Sequence, residues 1–262
     1  MIDLPRLLQE KQIVTYLNQG VPIARVLTMY EGFKLARDLL LSVVDRRTVL
    51  YLSGGRTPKD LYANLANDQK LQPGAVALID ERYGIKGHQL SNEKMIEESK
   101  LQPYVASLGV PFYPILQASH PSLQETADNY DMTVRYLFAG FPQSVGILGI
   151  GLDGHTAGIA GNRPADPTRA GHGFENPMFD LEEKKLLVSS YSDLQGPFKE
   201  RVSMTFLGLS MLDVFVVLVF GQDKKEALRK VFLDGAEEEI PGRFFKRPEI
   251  AKRTLIITDL KI

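Results

Sequence analysis

Thr48-Val49-Leu50-Tyr51-Leu52-Ser53-Gly54-Gly55-Arg56-Thr57-Pro58 is the stretch that decides the fold class. A β-prone run over 48–52 stops at a serine and two glycines. A helix is expected from Pro58, because proline is tolerated in a helix's first turn. Glycines at such a junction let main-chain N–H groups approach an anion, and the helix start adds positive dipole character. Arg56 and Thr57 add a charge and a hydroxyl, which suits a phosphate. The same residues also fit an ordinary strand-to-helix turn with Thr57 as N-cap. The lysine-serine ending of a Walker A loop is absent.

Outward from this junction the pattern alternates. Helical periodicity runs over 29–44, where Phe33, Leu35, Ala36, Leu39, Leu40 and Val43 recur at three- and four-residue steps. Short apolar runs at 76–79, 110–114, 144–150, 186–189, 214–220 and 254–258 read as strands, and 93–100, 122–138 and 223–232 read as helices. Strands separated by helices predict an α/β fold: three layers, with a mostly parallel sheet covered on both faces. Residues 160–185 carry Gly, Pro, Asn and Asp without period and read as a long loop or insertion. No repeat or low-complexity linker divides the chain. One domain over 1–262 is expected, with 1–28 as a short N-terminal extension.

Composition narrows the function classes. The 262 residues are 44% hydrophobic and 24% charged, which excludes a disordered chain. There is no cysteine, so thiolate catalysis, disulfides and iron–sulfur clusters are excluded. A net charge of -1 gives no electrostatic case for nucleic acid. The N-terminus has no signal-peptide core. The apolar stretch 206–221 is interrupted by Ser210 and Asp213 and is too short to span a membrane. A soluble, cytoplasmic protein with neither a nucleic-acid nor a membrane partner is expected.

In sheets of this kind ligands sit outside the carboxyl ends of the strands, and two more polar motifs follow apolar strands. Leu78-Ile79-Asp80-Glu81-Arg82-Tyr83, with Ser91-Asn92 downstream, places three charged residues towards the expected cleft. A carboxylate there can orient a substrate, and an arginine can meet a phosphate or an oxyanion; a solvated turn is the plain alternative. Gly149-Ile150-Gly151-Leu152-Asp153-Gly154-His155-Thr156 contains G-x-G-x-x-G. It lies mid-chain, however, and Asp153 would oppose a pyrophosphate. It reads better as a loop exposing Asp153 and His155, the carboxylate fixing the tautomer of a general base. His88, His120 and His172 read as structural. No G-x-S-x-G elbow and no H-E-x-x-H zinc motif is present.

Taken in order, these motifs are followed by Arg201-Val202-Ser203-Met204-Thr205 and Gly221-Gln222-Asp223-Lys224-Lys225-Glu226-Ala227-Leu228. The series resembles the 6-phosphogluconolactonases, relatives of the glucosamine-6-phosphate deaminases. The resemblance implies a Rossmann-like α/β/α fold of the deaminase, ribose-phosphate isomerase and CoA-transferase type. It implies hydrolysis of 6-phosphoglucono-1,5-lactone, a phosphorylated sugar lactone, in the oxidative pentose phosphate pathway. No metal or other cofactor is implied, and a monomer or small homo-oligomer is expected. Carried over residue by residue, His155 is the catalytic histidine, Asp153 its acid and Arg82 the arginine at the reacting group. Ser53, Gly54, Gly55, Arg56 and Thr57 form the phosphate loop, and Asp80, Arg201 and Lys224 complete substrate binding. Ala160 stands where the deaminases carry a glutamate, and Arg82 where they carry a tyrosine. A deaminase/isomerase-like enzyme and a non-catalytic sugar-phosphate binder are the alternatives. Departures from the lactonase pattern are Arg56 for serine, Gly84 for valine, Gly87 for aspartate, and Gly158-Ile159-Ala160 for Ser-Leu-Phe.

Overall fold

A computed structural model describes residues 2–164, 173–180 and 185–262. His172, and residues 165–172 and 181–184 of the expected loop over 160–185, lie outside the described residues. In chain order the elements are α1 (Leu4–Glu10), β1 (Tyr16–Asn18), β2 (Val21–Arg25), α2 (Met29–Val43), β3 (Thr48–Leu52), α3 (Arg56–Asp68), β4 (Ala75–Leu78) and β5 (Asp80–Arg82). They continue as α4 (Asn92–Glu98), α5 (Leu101–Ser107), β6 (Phe112–Tyr113), α6 (Leu123–Gly140), β7 (Gln143–Gly149), β8 (Val188–Ser192) and β9 (Glu200–Met204). The chain closes with α7 (Phe206–Ser210), β10 (Val214–Val219), α8 (Lys225–Val231), α9 (Pro248–Ala251) and β11 (Thr254–Thr258).

Eight strands form the main sheet in the order β1-β2-β11-β10-β7-β3-β4-β6. Every pairing in it is parallel except β1 with β2. The expected α/β architecture with a mostly parallel sheet and helices in the outer layers is therefore the observed one. All six residues of β10 are buried, as a central strand covered on both faces requires. From β3 the chain builds outward through β4 to β6. It then returns through α6 to β7 on the other side of β3 and builds towards β10 and β11. Right-handed crossovers in opposite directions put their connections on opposite faces. Accordingly α2 and α5 both pack against α3, whereas α6 packs against β8 and β9.

Local chemistry explains the helix boundaries. Ser122 and Glu125 form a reciprocal capping box at the start of α6, satisfying amides that the helix leaves free. Thr28 caps α2 in the same way from its side chain. The expected helix over 93–100 is instead two short ones, broken where Lys100 takes the left-handed conformation at φ 71°. The expected helix over 223–232 opens with a 3-10 turn, Gln222–Lys224, before α8.

The segment expected as an N-terminal extension contributes two strands, β1 and β2, to the main sheet. Leu4 and Leu8 of α1 are buried, and β2 pairs in parallel with β11. Of the second sheet, with the antiparallel order β5-β9-β8, only β8 overlaps a strand expected from the sequence, that over 186–189. The sheet forms because the chain leaves the main sheet at Ile79 and continues directly into β5. The apolar stretch 206–221 is divided between α7 and β10. Among the described residues no helix is long and apolar enough to cross a membrane.

Candidate active site

The carboxyl ends of β10, β7, β3 and β4 are neighbours, and a cleft of about 640 Å³ opens above them. Between β3 and β7 the chain's direction of build reverses, the position at which open α/β sheets bind ligands. Ser53, Gly54, Gly55, Arg56 and Thr57 line the cleft beyond β3. Helix α3 begins at Arg56, two residues before Pro58, and its N-cap is Gly55 at φ 118°, so Thr57 is not the cap. No side chain caps this end of α3. The first-turn amides and the positive end of the helix dipole are therefore left for an external anion. Gly54 is dictated by packing: a Cβ there would fall 1.8 Å from Oδ1 of Asn92.

Beyond β7 the chain turns tightly. The Gly151 N–H donates to the His155 carbonyl at 2.8 Å, and Gly154 turns at φ 86°. The turn folds the His155 ring over Gly151, where a Cβ would lie 2.1 Å from Nδ1. Nδ1 of His155 meets Oδ1 of Asp153 at 2.5 Å, and the His155 N–H donates to the same oxygen at 3.1 Å. Partial burial pushes the Asp153 carboxyl up. The hydrogen bond and charge of His155 outweigh it and hold the group well below the usual carboxylate range. With Nδ1 donating to the carboxylate, Nε2 of a neutral ring carries the lone pair. His155 lines the cleft, whereas Asp153 approaches it from the solvent side, its side chain 62% exposed.

The small sheet supplies the opposite wall. In β5 side chains alternate, so Asp80 and Arg82 face the cleft while Glu81 points the other way. The expectation that all three charges face the cleft is corrected at Glu81. Its buried carboxylate accepts from the N–H groups of Arg82, Asn92 and Glu93 and from Ser91 Oγ, at 2.7–2.9 Å. Burial pushes its pKa up, and those hydrogen bonds partly offset the shift. Strand β9 sets Arg201 directly opposite Arg82 and Ser203 opposite Asp80. Arg201 Nη1 lies 3.9 Å from Asp80 Oδ2, and Asn92 Nδ2 donates to that oxygen at 3.2 Å. Burial lowers the Arg82 pKa, Asp80 and Glu81 raise it, and the like charge of Arg201 lowers it further. Asp80 Oδ1, Ser53 Oγ and Arg82 Nε are buried without a hydrogen-bond partner. Three orphaned polar atoms on residues of one cleft mark a site built for a polar ligand.

Lys224 reaches in from beyond β10 and donates to the Ile150 carbonyl at 2.6 Å. Burial lowers its pKa, Asp223 raises it, and the nearby charge of Arg56 lowers it. Arg56, Arg82, Arg201 and Lys224 thus line one cleft. Among the described residues no group of three or more His, Asp or Glu side chains is placed to hold a metal ion. His88 is used structurally, Nε2 bonding the Arg82 carbonyl at 2.9 Å, and the His120 ring lies against Tyr83. Phe198 and Asn92 were absent from the expected site residues. Phe198 lies in the β8–β9 connection, whose sequence has no period, and Asn92 contributes by packing under Gly54.

The family model described as glucosamine-6-phosphate isomerases/6-phosphogluconolactonase matches residues 34–255. A 6-phosphogluconolactonase of Rhizobium meliloti is 27% identical, over 76% of this chain and 79% of that protein. A glucosamine-6-phosphate deaminase of Streptococcus equi subsp. zooepidemicus is also 27% identical, over 84% of this chain and 90% of that protein. Among solved structures, 6-phosphogluconolactonase from Plasmodium vivax superposes with a TM-score of 0.73 at 18% identity, covering 98% of this chain and 95% of that one. At such identity the superposition speaks for the fold. The family match spans the strands whose carboxyl ends form the cleft, from β3 to β10, and on it the chain belongs to the glucosamine-6-phosphate isomerase/6-phosphogluconolactonase family.

Proposed function

We propose that this protein hydrolyses 6-phospho-D-glucono-1,5-lactone to 6-phosphogluconate, the lactone-opening step of the oxidative pentose phosphate pathway. The observation that carries the reading is the His155–Asp153 pair, 2.5 Å apart, on the same cleft as the uncapped start of α3. It is supported by relatives named 6-phosphogluconolactonase in Rhizobium meliloti and in Synechocystis. The α3 amides, Thr57, Arg56, Lys224 and Arg201 hold the phosphate, so that remote binding energy positions the ring. His155 Nε2 takes a proton from water as the water oxygen bonds to the lactone carbonyl carbon. Arg82 meets the oxyanion. The ring carbon–oxygen bond then breaks, and His155 returns its proton to the departing ring oxygen. The products are the freed hydroxyl and a carboxylic acid, which gives its proton to solvent to leave 6-phosphogluconate. Asp80 accepts from a sugar hydroxyl.

Ala160 and Arg82 favour this reading over deamination, because the deaminase pattern has a glutamate and a tyrosine at those positions. We read the chain as one domain that acts in the cytoplasm as a monomer or small homo-oligomer. The test is hydrolysis of freshly generated 6-phosphogluconolactone, corrected for spontaneous opening, with glucosamine-6-phosphate in parallel. Lactone consumption above background is expected. Turnover of the amino sugar alone would move the assignment to the deaminase branch, and binding without turnover would make the protein a sensor.

A further inference from the structure

Arg82 and Arg201 face each other across an antiparallel pair, where like charges repel. Among the described residues their one carboxylate contact is distant, Arg201 to Asp80 at 3.9 Å. The Arg82 side chain donates from Nη1 to the Leu90 carbonyl at 2.7 Å, while Nε has no hydrogen-bond partner. What the two cations share is the Phe198 ring. The Arg82 guanidinium carbon lies 4.3 Å from its centroid and that of Arg201 4.8 Å. Phe198 also lines the cleft. A ring face attracts a cation through its quadrupole without consuming an N–H donor, whereas a carboxylate in that place would pair with the donors and cancel the charge.

The connection that carries the ring is anchored at both ends. The ring sits two residues before β9, in a connection anchored by buried Asp193. Arg163 Nη2 reaches both Asp193 oxygens at 2.6 and 2.7 Å, and the Asp193 N–H donates to the Lys199 carbonyl at 2.6 Å. We propose that Phe198 is a positioning residue: its ring clamps Arg82, which meets the oxyanion, beside Arg201, which meets the phosphate, without consuming an N–H donor of either. This deepens the lactonase reading and rests on it for the substrate.

The test uses the full chain and compares Phe198→Leu, which removes the ring, with Phe198→Tyr, which keeps it. Two cation–ring contacts, one to buried Arg201 and one to half-buried Arg82, correspond to a roughly five- to thirtyfold loss or more. Phe198→Leu is expected to lower kcat/KM for the lactone, and to raise the Kd for 6-phosphogluconate by calorimetry, by that factor, and Phe198→Tyr to restore both. The arginine side-chain N–H signals of Arg82 and Arg201 in NMR are expected to lose their ring-current shift in Phe198→Leu and to keep it in Phe198→Tyr. An unchanged kcat/KM and Kd in Phe198→Leu, equal losses in the two variants, or arginine signals indifferent to the ring would overturn the clamp. A wild-type protein that does not open the lactone would instead overturn the functional reading. The arginine signals and 6-phosphogluconate binding still decide the clamp in that case.

Discussion

At the scale of single residues, the site depends on two glycines as much as on its charged groups. Gly151 gives the His155 ring its place beside Asp153, and Gly54 lets Asn92 brace Asp80. Of the G-x-G-x-x-G over 149–154, Gly151 is required by the packing of the His155 ring and Gly154 by its positive φ. Replacing the proposed base, His155→Ala, should lower kcat by about 10²–10⁴ in the lactone assay. An unchanged rate would remove His155 from the mechanism. Arg56 is exposed at the cleft wall and stands beyond the backbone amides of α3. Arg56→Ser should raise the KM about three- to tenfold with kcat unchanged, since it removes binding common to ground and transition states. The effect should shrink at high salt, because an exposed charge is screened. A fall in kcat at constant KM would contradict a phosphate role.

At the scale of elements, Glu81 shows how a charge in a motif can serve the fold instead of the chemistry. Strand alternation turns it from the cleft, and its carboxylate caps the start of α4 while Asp80 and Arg82 face the ligand. Glu81→Gln would turn an NH₂ group towards donors that now find an oxygen. It should cost about 2–4 kcal/mol in urea denaturation, from lost charge-assisted bonds and unpaired buried groups. A loss under 0.5 kcal/mol would show that α4 does not depend on this cap. The β1–β2 hairpin was overlooked because its turn, Gln19-Gly20 at φ 47° and 83°, lacks the asparagine-glycine that usually marks such a turn. Strand β9 was overlooked for a different reason. Glu200-Arg201-Val202-Ser203-Met204 buries four of its five residues, so it has no alternation to read.

At the scale of the whole molecule, the sheet is locked at its β11 side by an aromatic cluster that comes from distant segments. Phe206 stacks on Phe244 at 4.8 Å, and Phe215 meets Phe244 and Phe245 edge-on at 5.9 Å. Phe244 is fully buried, so Phe244→Ala should cost about 3–5 kcal/mol and lower Tm. Because Phe244 lies outside the cleft, the KM of the folded variant should stay within about twofold, and a selective loss of substrate affinity would contradict this separation. The sequence by itself determined the α/β class, the strands over 48–52, 214–220 and 254–258, and the loops that carry Gly55, Asp153 and His155. Those features are local: hydrophobic period, glycine placement and motifs directly following apolar runs. Only the tertiary structure decided that Arg201 stands opposite Arg82, that Phe198 lies beneath both, and that Glu81 faces away. It also decided that residues 4–25 complete the sheet. Each of these depends on register between strands far apart in the chain, and register is set by which faces can be buried together once the whole core is packed.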